Sequence, residues 1–480
     1  MLFTEPAFLG FFAVVFGLYY LTPLRRWQVP LLVAASFGFY AYGQPSLLLL
    51  LLISAVLSAA TSHAVMISRR QRTKRAWAIA GVAVNLGILG FFKYGGLIER
   101  SFFAGLVGAD SPLGLLLSLP LPIGISFYTF HGISLIVDVS RSRDAVAGRS
   151  APPPSPRRHL RNTLLYLTFF PQLVAGPIVK AHQFYPQIAP KRFSAIDWNG
   201  AAKALIVGYF LKRVVADNLQ NATYLLTYPA YLTQSSLNLL VLDFGYSMRI
   251  FADFAGYSLI AIGLARLLGY ELPQNFNFPY VAESFSEFWT RWHMSLSSWL
   301  REYLYYPLGG NRRGAGRTYL NLMTVMCLGG LWHGAAWSYA LWGACHGLAL
   351  IIERSMRGSR FYASSLLPVR IARAALVFGV VTLAWIFFRL PRFSEAAGFF
   401  LALRDNWRLP FQAGPAVVIG FYSAPVLAYH ARYLWRRRRA IRPRHARPPA
   451  APLEAVAYGL LASAILFNAG PIDAFIYFQF

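Results

Sequence analysis

The sequence predicts an all-α, polytopic membrane protein, and three observations carry that expectation. Hydrophobic residues fill 56% of the 480 positions and charged residues 13%, which leaves too little polar surface to cover a water-soluble core of this size. Apolar runs approaching the ~20 residues a spanning helix needs begin almost at once, at residues 8–21, 30–42 and 47–67. The net charge of +27 comes from Lys and Arg gathered in short loops between such runs. In that setting they act as topology signals rather than as a nucleic-acid surface. One membrane domain over residues 1–480, with roughly ten or more spans, is the expectation.

The elements follow in order. The first apolar run carries no basic leader and no small-residue cleavage site before the next span, so it is expected to stay as the first helix of the N-terminal spans, residues 1–140. Basic clusters at Arg25 and Arg26, at 69–75 and at 141–161 each follow an odd-numbered run. Because Lys and Arg favour cytoplasmic loops, this sets the N-terminus outside. Later clusters at 354–360 and 432–447 fit the same scheme, with C-terminal spans (residues 369–480) near 372–388, 416–430 and 453–469, and they return the C-terminus to the outside. Residues 144–156, rich in Pro, Ser and Arg, read as a cytoplasmic linker. Residues 436–452 share that character, either as a solvated loop that fixes topology or as a contact for anionic lipid headgroups. Cys327 and Cys345 are the only cysteines. Both stand in apolar surroundings, so no disulfide framework or cysteine metal site is expected.

Residues 180–313 do not resolve into clean spans, because charges and prolines interrupt the apolar runs. Irregular backbone at membrane depth is tolerated only where protein or a water-filled cavity surrounds it. A central funnel with broken or re-entrant helices is therefore expected there. Around 285–306 the spacing of Phe288, Trp292, Leu296 and Trp299 gives a helical apolar face.

Two histidines carry the candidate chemistry: His293, in FWTRWHMSLSSWLREYLYYPLGGNRRG, and His333, in LGGLWHGAAW. An ionisable group at membrane depth is costly and marks a candidate functional site, and a neutral imidazole can accept a hydroxyl proton near pH 7. For His333 the alternative is a core histidine bonded between helices. Gly329, Gly330 and Gly334 around it permit close approach of backbone or ligand. For His293 the alternative is an interfacial polar network with Arg291, Arg301 and Glu302. The glycine-rich LGGNRRGAGR places Arg312, Arg313 and Arg317 as candidates for the phosphates of a nucleotide-like donor, or simply as a basic loop; without GKS or GKT it is not a P-loop. Lys212, Arg213, Asp217, Asp243, Arg249 and Asp253 are expected to pair structurally.

At these residues the sequence resembles the bacterial branch of the membrane-bound O-acyltransferase family, its alginate O-acetylation members in particular. The resemblance runs through LPIGISFYTFHGISLIVDVSR, FFPQLVAGPIVK, FADFAGYSLIAIGLARLLGY, NFNFPY and both histidine segments to HGLALIIER, most of residues 121–354. It implies a multi-helix fold with a thin, funnel-shaped centre, where a cytoplasmic thioester meets an acceptor from the outer side. It implies that His333 is the essential histidine, acting as general base or orienting the acceptor, and that His293 is the second polar position. One position departs: Leu259 follows GYS where alginate-type members carry aspartate. The C-terminal FIYFQF resembles the tyrosine motif of the small partner used in teichoic acid D-alanylation, which makes Tyr477 a candidate acyl carrier; an aromatic anchor at the interface is the alternative.

The implied enzyme is an O-acetyltransferase in a bacterial inner membrane, using acetyl-CoA as donor substrate and no metal. Nothing resembles a soluble GxSxG nucleophile site, so an extracytoplasmic SGNH-type transferase and polysaccharide machinery are the expected partners, with lipids around it and no nucleic acid. D-alanyl transfer to teichoic acid is the enzymatic alternative. A lipid-linked saccharide transporter is the non-enzymatic one, although no inverted repeat is seen.

Overall fold

Every backbone donor and acceptor inside a bilayer must be satisfied within the protein, which leaves helices or closed barrels as the spanning elements. Among the residues described by the structure, a computed structural model covering 1–21, 25–103, 111, 114, 117, 120–141, 154–173, 176–440, 451–472 and 475–476, the regular elements are all helical. Most of the expected 144–156 linker and residues 441–450 lie outside the described residues. The chain divides into two compact units, Met1–Ala204 with Ile260–Pro273, and Leu205–Leu259 with Gln274–Phe480.

The first unit holds α1 (Pro6–Leu21), α2 (Gln28–Gly43), α3 (Leu48–Ile67), α4 (Gln71–Leu89), α5 (Gly95–Phe102), α6 (Ile125–Ser140) and α7 (Pro156–Thr168). Helix α3 shows why these pack in lipid. Ser54, Ala55, Ser58, Ala59 and Ser62 recur at helical spacing and are buried, while Leu49, Ile53 and Val56 on the other faces are exposed. Lipid tails are as apolar as leucine, so association comes from small residues that let backbones approach and from hydrogen bonds between helices. Asn85 of α4 donates to Ser58 Oγ at 3.2 Å, and Ser62 Oγ lies 2.8 Å from His159 Nε2 of α7, bonds each worth ~0.6 kcal/mol in such settings. Asp138 of α6 pairs with His182 at 2.8 Å.

Helix α8 (Trp198–Tyr209) and helix α9 (Ser236–Leu267) run along the chain from one unit's residues into the other's. The second unit continues with α10 (Phe285–Arg291), α11 (Met294–Leu300), α12 (Gly314–His333), α13 (Trp337–Ser355), α14 (Leu367–Arg389), α15 (Phe393–Asp405), α16 (Ala413–Ala440) and α17 (Ala451–Phe467). Of the apolar stretch of α9, 83% is buried, against 44% for α3 and 22% for α4 with α5, so α9 is a core helix and α4 faces outward. Helices α12 and α13 form a close hairpin. A Cβ on Gly330 would collide with the carbonyl of Tyr339, and one on Gly343 with that of Met326, so the two glycines allow backbone contact that any side chain would prevent.

Four described helical segments are long and apolar enough to cross a bilayer, and three apolar helices, α1, α6 and α17, are shorter. In the middle of the chain, π turns at Phe210–Ala216 and Arg301–Tyr305 and the break between α10 and α11 interrupt regular α-helix.

Candidate active site

The break at His293 is built by the loop before it. Helix α10 starts on two acceptors: Ser284 Oγ takes the Glu287 N–H at 3.0 Å, and the buried Glu353 carboxylate takes the N–H groups of Phe285 and Ser286 at 2.5 and 3.1 Å. A carboxylate there satisfies otherwise orphaned donors and suits the positive end of the helix. The helix stops at Arg291, and His293 adopts a left-handed backbone conformation (φ 43°) before α11 begins. A non-glycine residue pays ~1–2 kcal/mol for that conformation, so its surroundings must hold it there. The NFNFPY segment does so. Asn277 N donates to Arg291 O and Met294 N donates to Asn275 O, both at 2.9 Å. The Asn275 side chain is fixed by Ser295 Oγ at 2.6 Å and donates to Ser258 Oγ of α9 at 2.9 Å.

His333 is the last residue of α12. The tight α12–α13 hairpin sets it against Trp342 (ring centroids 5.4 Å), with Trp332 at 5.0 Å and Phe388 of α14 at 5.3 Å. His293 lies 6.2 Å from it and meets Phe254 of α9 edge-on at 4.6 Å. The two histidines, forty positions apart in sequence, are therefore neighbours; both are buried, at 0% and 5% exposure. His346 of α13 meets the ring of Trp342 edge-on at 4.7 Å and that of Trp289 edge-on at 5.1 Å.

A cavity of about 410 Å³ opens onto His333. Met326 and Gly329 of α12 and Trp342, whose ring touches the histidine, line it beside His333, Trp289, Leu296 and Leu300 contribute apolar wall, and Arg301, Arg354, Arg357 and Glu353 supply its charged lining. The lining therefore combines an apolar wall with guanidinium and carboxylate groups. Arg312, Arg313 and Arg317 are not among its lining residues; they are exposed around the Gly314 turn at the start of α12. The arginines in that lining are Arg301, just after α11, and Arg354 and Arg357, at and just beyond the end of α13. No group of three or more His, Cys, Asp or Glu side chains suited to a metal occurs among the described residues.

The C-terminal segment reaches the same region from another direction. Asn218 Nδ2 donates to Asn468 O at 3.0 Å, Arg213 donates to the carbonyls of Gly470 and Pro471, and Gly470 N donates to Arg213 O at 2.8 Å. Ile476 N donates to Asp253 at 2.7 Å. Asp253 is held in turn by Lys212 at 2.7 Å, and Lys212 also pairs with Asp217 at 2.8 Å. Phe475 is fully buried against Tyr257 (4.5 Å) and Phe254 (5.8 Å), the ring that touches His293. Of the charges expected to pair, Lys212, Arg213, Asp217 and Asp253 do so here and anchor the tail; Asp243, by contrast, is fully buried with no hydrogen-bond partner for either oxygen among the described residues. Tyr477 lies outside the described residues. No local sequence pattern marks Phe475, Asp253 and Lys212 as a tail anchor, because the anchor joins segments more than two hundred residues apart.

Comparison with known proteins adds an independent line. The model of the membrane-bound O-acyltransferase family matches residues 39–391. A probable alginate O-acetylase of Pseudomonas putida is 33% identical, with 100% of both chains covered. A peptidoglycan O-acetyltransferase of Helicobacter pylori is 34% identical over 82% of this chain and 76% of its own. A teichoic acid D-alanyltransferase of Bacillus subtilis is 29% identical over 48% of this chain and 58% of its own. The chain belongs to the membrane-bound O-acyltransferase family and is a membrane O-acyltransferase.

Proposed function

We propose that this protein takes an acetyl group from cytoplasmic acetyl-CoA and passes it across the inner membrane for O-acetylation of an extracytoplasmic polysaccharide, alginate- or cellulose-like. The observation that carries the reading is the cavity that ends at His333 and holds Arg301, Arg354 and Arg357 in its lining. Guanidinium groups recognise phosphate through paired N–H donors, so they suit the phosphates of coenzyme A, while the apolar wall suits its thin thioester arm. His333 is the general base: as the acceptor hydroxyl attacks the thioester carbonyl, the imidazole takes its proton, the C–S bond breaks, and the thiolate recovers the proton to leave as free thiol. His293 is the second polar group facing the acceptor. Arg312, Arg313 and Arg317 are left as a basic cytoplasmic surface on the donor's approach.

Tyr477 is the proposed acceptor hydroxyl. Its support is the docking of Phe475 and Ile476, two residues and one residue before it, against the aromatic wall of His293. The phenol becomes an aryl acetate, whose good leaving group allows an extracytoplasmic SGNH-type transferase to move the acetyl group on to sugar hydroxyls. The polysaccharide machinery is supported by the names of the alginate and peptidoglycan relatives. Both termini are taken to face outward, as the basic loops require.

The donor half is tested with the purified protein in nanodiscs and labelled acetyl-CoA. Arg354→Gln combined with Arg301→Gln is expected to raise the KM for acetyl-CoA by about tenfold or more while kcat changes little, as loss of uniform binding requires. Unchanged KM, or equal use of a D-aminoacyl carrier protein, contradicts the proposal.

A further inference from the structure

Away from the histidines, Glu283 gathers three guanidinium groups. Arg370 donates to it through Nε at 3.1 Å and Nη2 at 2.7 Å, Arg373 through Nη2 at 3.0 Å and Arg437 through Nη1 at 3.2 Å. Arg373 is further committed to the carbonyls of Phe361 and Tyr362, at 3.1 and 2.7 Å. One carboxylate against three guanidiniums leaves a surplus of two positive charges at a single spot. Three cations around it hold the Glu283 carboxyl below the usual carboxylate range, the Arg370 hydrogen bonds contributing most. Arg370 and Arg437 keep 31% and 44% of their side chains exposed, so part of that positive charge faces outward.

Beside this spot lies a cleft of about 360 Å³ whose wall is apolar. Ile371, Ala374, Ala375 and Phe378 of α14 form one side, and Leu434 of α16 faces them, with Arg370 and Arg437 also in the lining. Ile371 and Leu434 are 58% and 43% exposed, beside the basic residues at the ends of the expected spans 372–388 and 416–430. An apolar slot with a cationic head at its basic, cytoplasmic end is matched in charge and in shape by one class of molecule. It fits neither a soluble anion, which has no use for the slot, nor a neutral lipid, which leaves the surplus charge unmet.

We propose that this cleft is a binding site for an anionic phospholipid of the cytoplasmic leaflet. The lipid phosphate sits on Arg370 and Arg437, competing with Glu283 for their donors, and one acyl chain lies along Ile371, Ala375 and Phe378. In that position it staples α14 to α16. Helix α14 carries Phe388 to the His333 wall, and α16 carries Tyr429 and His430 to the rings of Phe278 and Tyr280, so the lipid supports the scaffold of the site without touching its chemistry.

The test is native mass spectrometry of the full-length protein in detergent, incubated with equal amounts of phosphatidylglycerol and phosphatidylcholine of identical chains. Wild type is expected to retain phosphatidylglycerol in preference by about fivefold for each guanidinium it engages. Arg437→Gln is expected to remove most of that preference, Ala375→Trp to reduce total lipid retained by filling the slot, and Glu283→Gln to increase phosphatidylglycerol retention by freeing donors. A merely structural Glu283 cluster predicts no gain in the last variant. Because the ratio is read within the folded population, partial unfolding of a variant does not imitate these outcomes. Equal retention of both lipids, an unchanged ratio in Arg437→Gln, or displacement of the lipid by millimolar inorganic phosphate overturns the proposal.

Discussion

Replacing His333 with alanine is expected to lower acetyl transfer from acetyl-CoA by ~10²–10⁴-fold, the usual contribution of a positioned general base, with the KM for acetyl-CoA nearly unchanged. The imidazole is needed when the hydroxyl loses its proton, not when the donor binds through Arg301, Arg354 and Arg357. The split between kcat and KM is therefore the informative reading. A structural histidine bonded between helices predicts something else, namely lower protein yield and thermal stability with the remaining folded enzyme active at close to the wild-type rate. His333→Gln keeps a polar group of similar reach at the end of α12 and separates the two cases. It should fold like wild type and remain as inactive as the alanine variant.

Replacing Tyr477 with phenylalanine is expected to abolish polymer acetylation in cells, by ~10²-fold or more if the phenol oxygen is the covalent carrier, without changing protein abundance. The substitution keeps an aromatic ring for an interfacial anchor and removes only the oxygen. Full polymer acetylation in this variant rules out the relay. A shorter chain ending before Phe475 adds a second reading of the same tail: if the tail carries the acyl group, truncation silences the enzyme. If the tail merely plugs the route to His293, truncation raises acetyl-CoA turnover, which contradicts the proposal.

Much of this protein is legible in its sequence because the bilayer simplifies the code. Long apolar runs give α3 almost to the residue and α14 to within five residues at its start and one at its end, since no other regular element can hide its backbone there. The interruption at 285–306 announces broken helices, and the structure breaks them at His293 between α10 and α11. Gly330 and Gly343 turn out to matter through backbone approach between α12 and α13, a use that glycine near a histidine suggests but does not specify. What the sequence hides is contact between distant segments. Arg312, Arg313 and Arg317 stand together in a glycine-rich turn, a local cluster visible in the sequence. The arginines lining the cavity instead stand singly, Arg301 after α11 and Arg354 and Arg357 three apart at the end of α13, where they read as a topology signal for a cytoplasmic loop. The clasp of Asp253 and Lys212 on the C-terminal tail is hidden for the same reason: a buried lysine between two aspartates predicts a pair, not what the pair holds.

The claim beneath all of this is that a thioester can reach His333 from the arginine side of the cavity while an acceptor reaches it past His293. Cryo-electron microscopy of the full chain with a non-hydrolysable acetyl-CoA analogue tests it most directly. The account predicts density for the analogue along the 410 Å³ cavity, its phosphates at Arg301, Arg354 and Arg357 and its acyl carbon within ~3–3.5 Å of the space in front of the His333 imidazole. Density seated elsewhere, with Trp342, Trp332 and Phe388 closed around an unreachable His333, contradicts it.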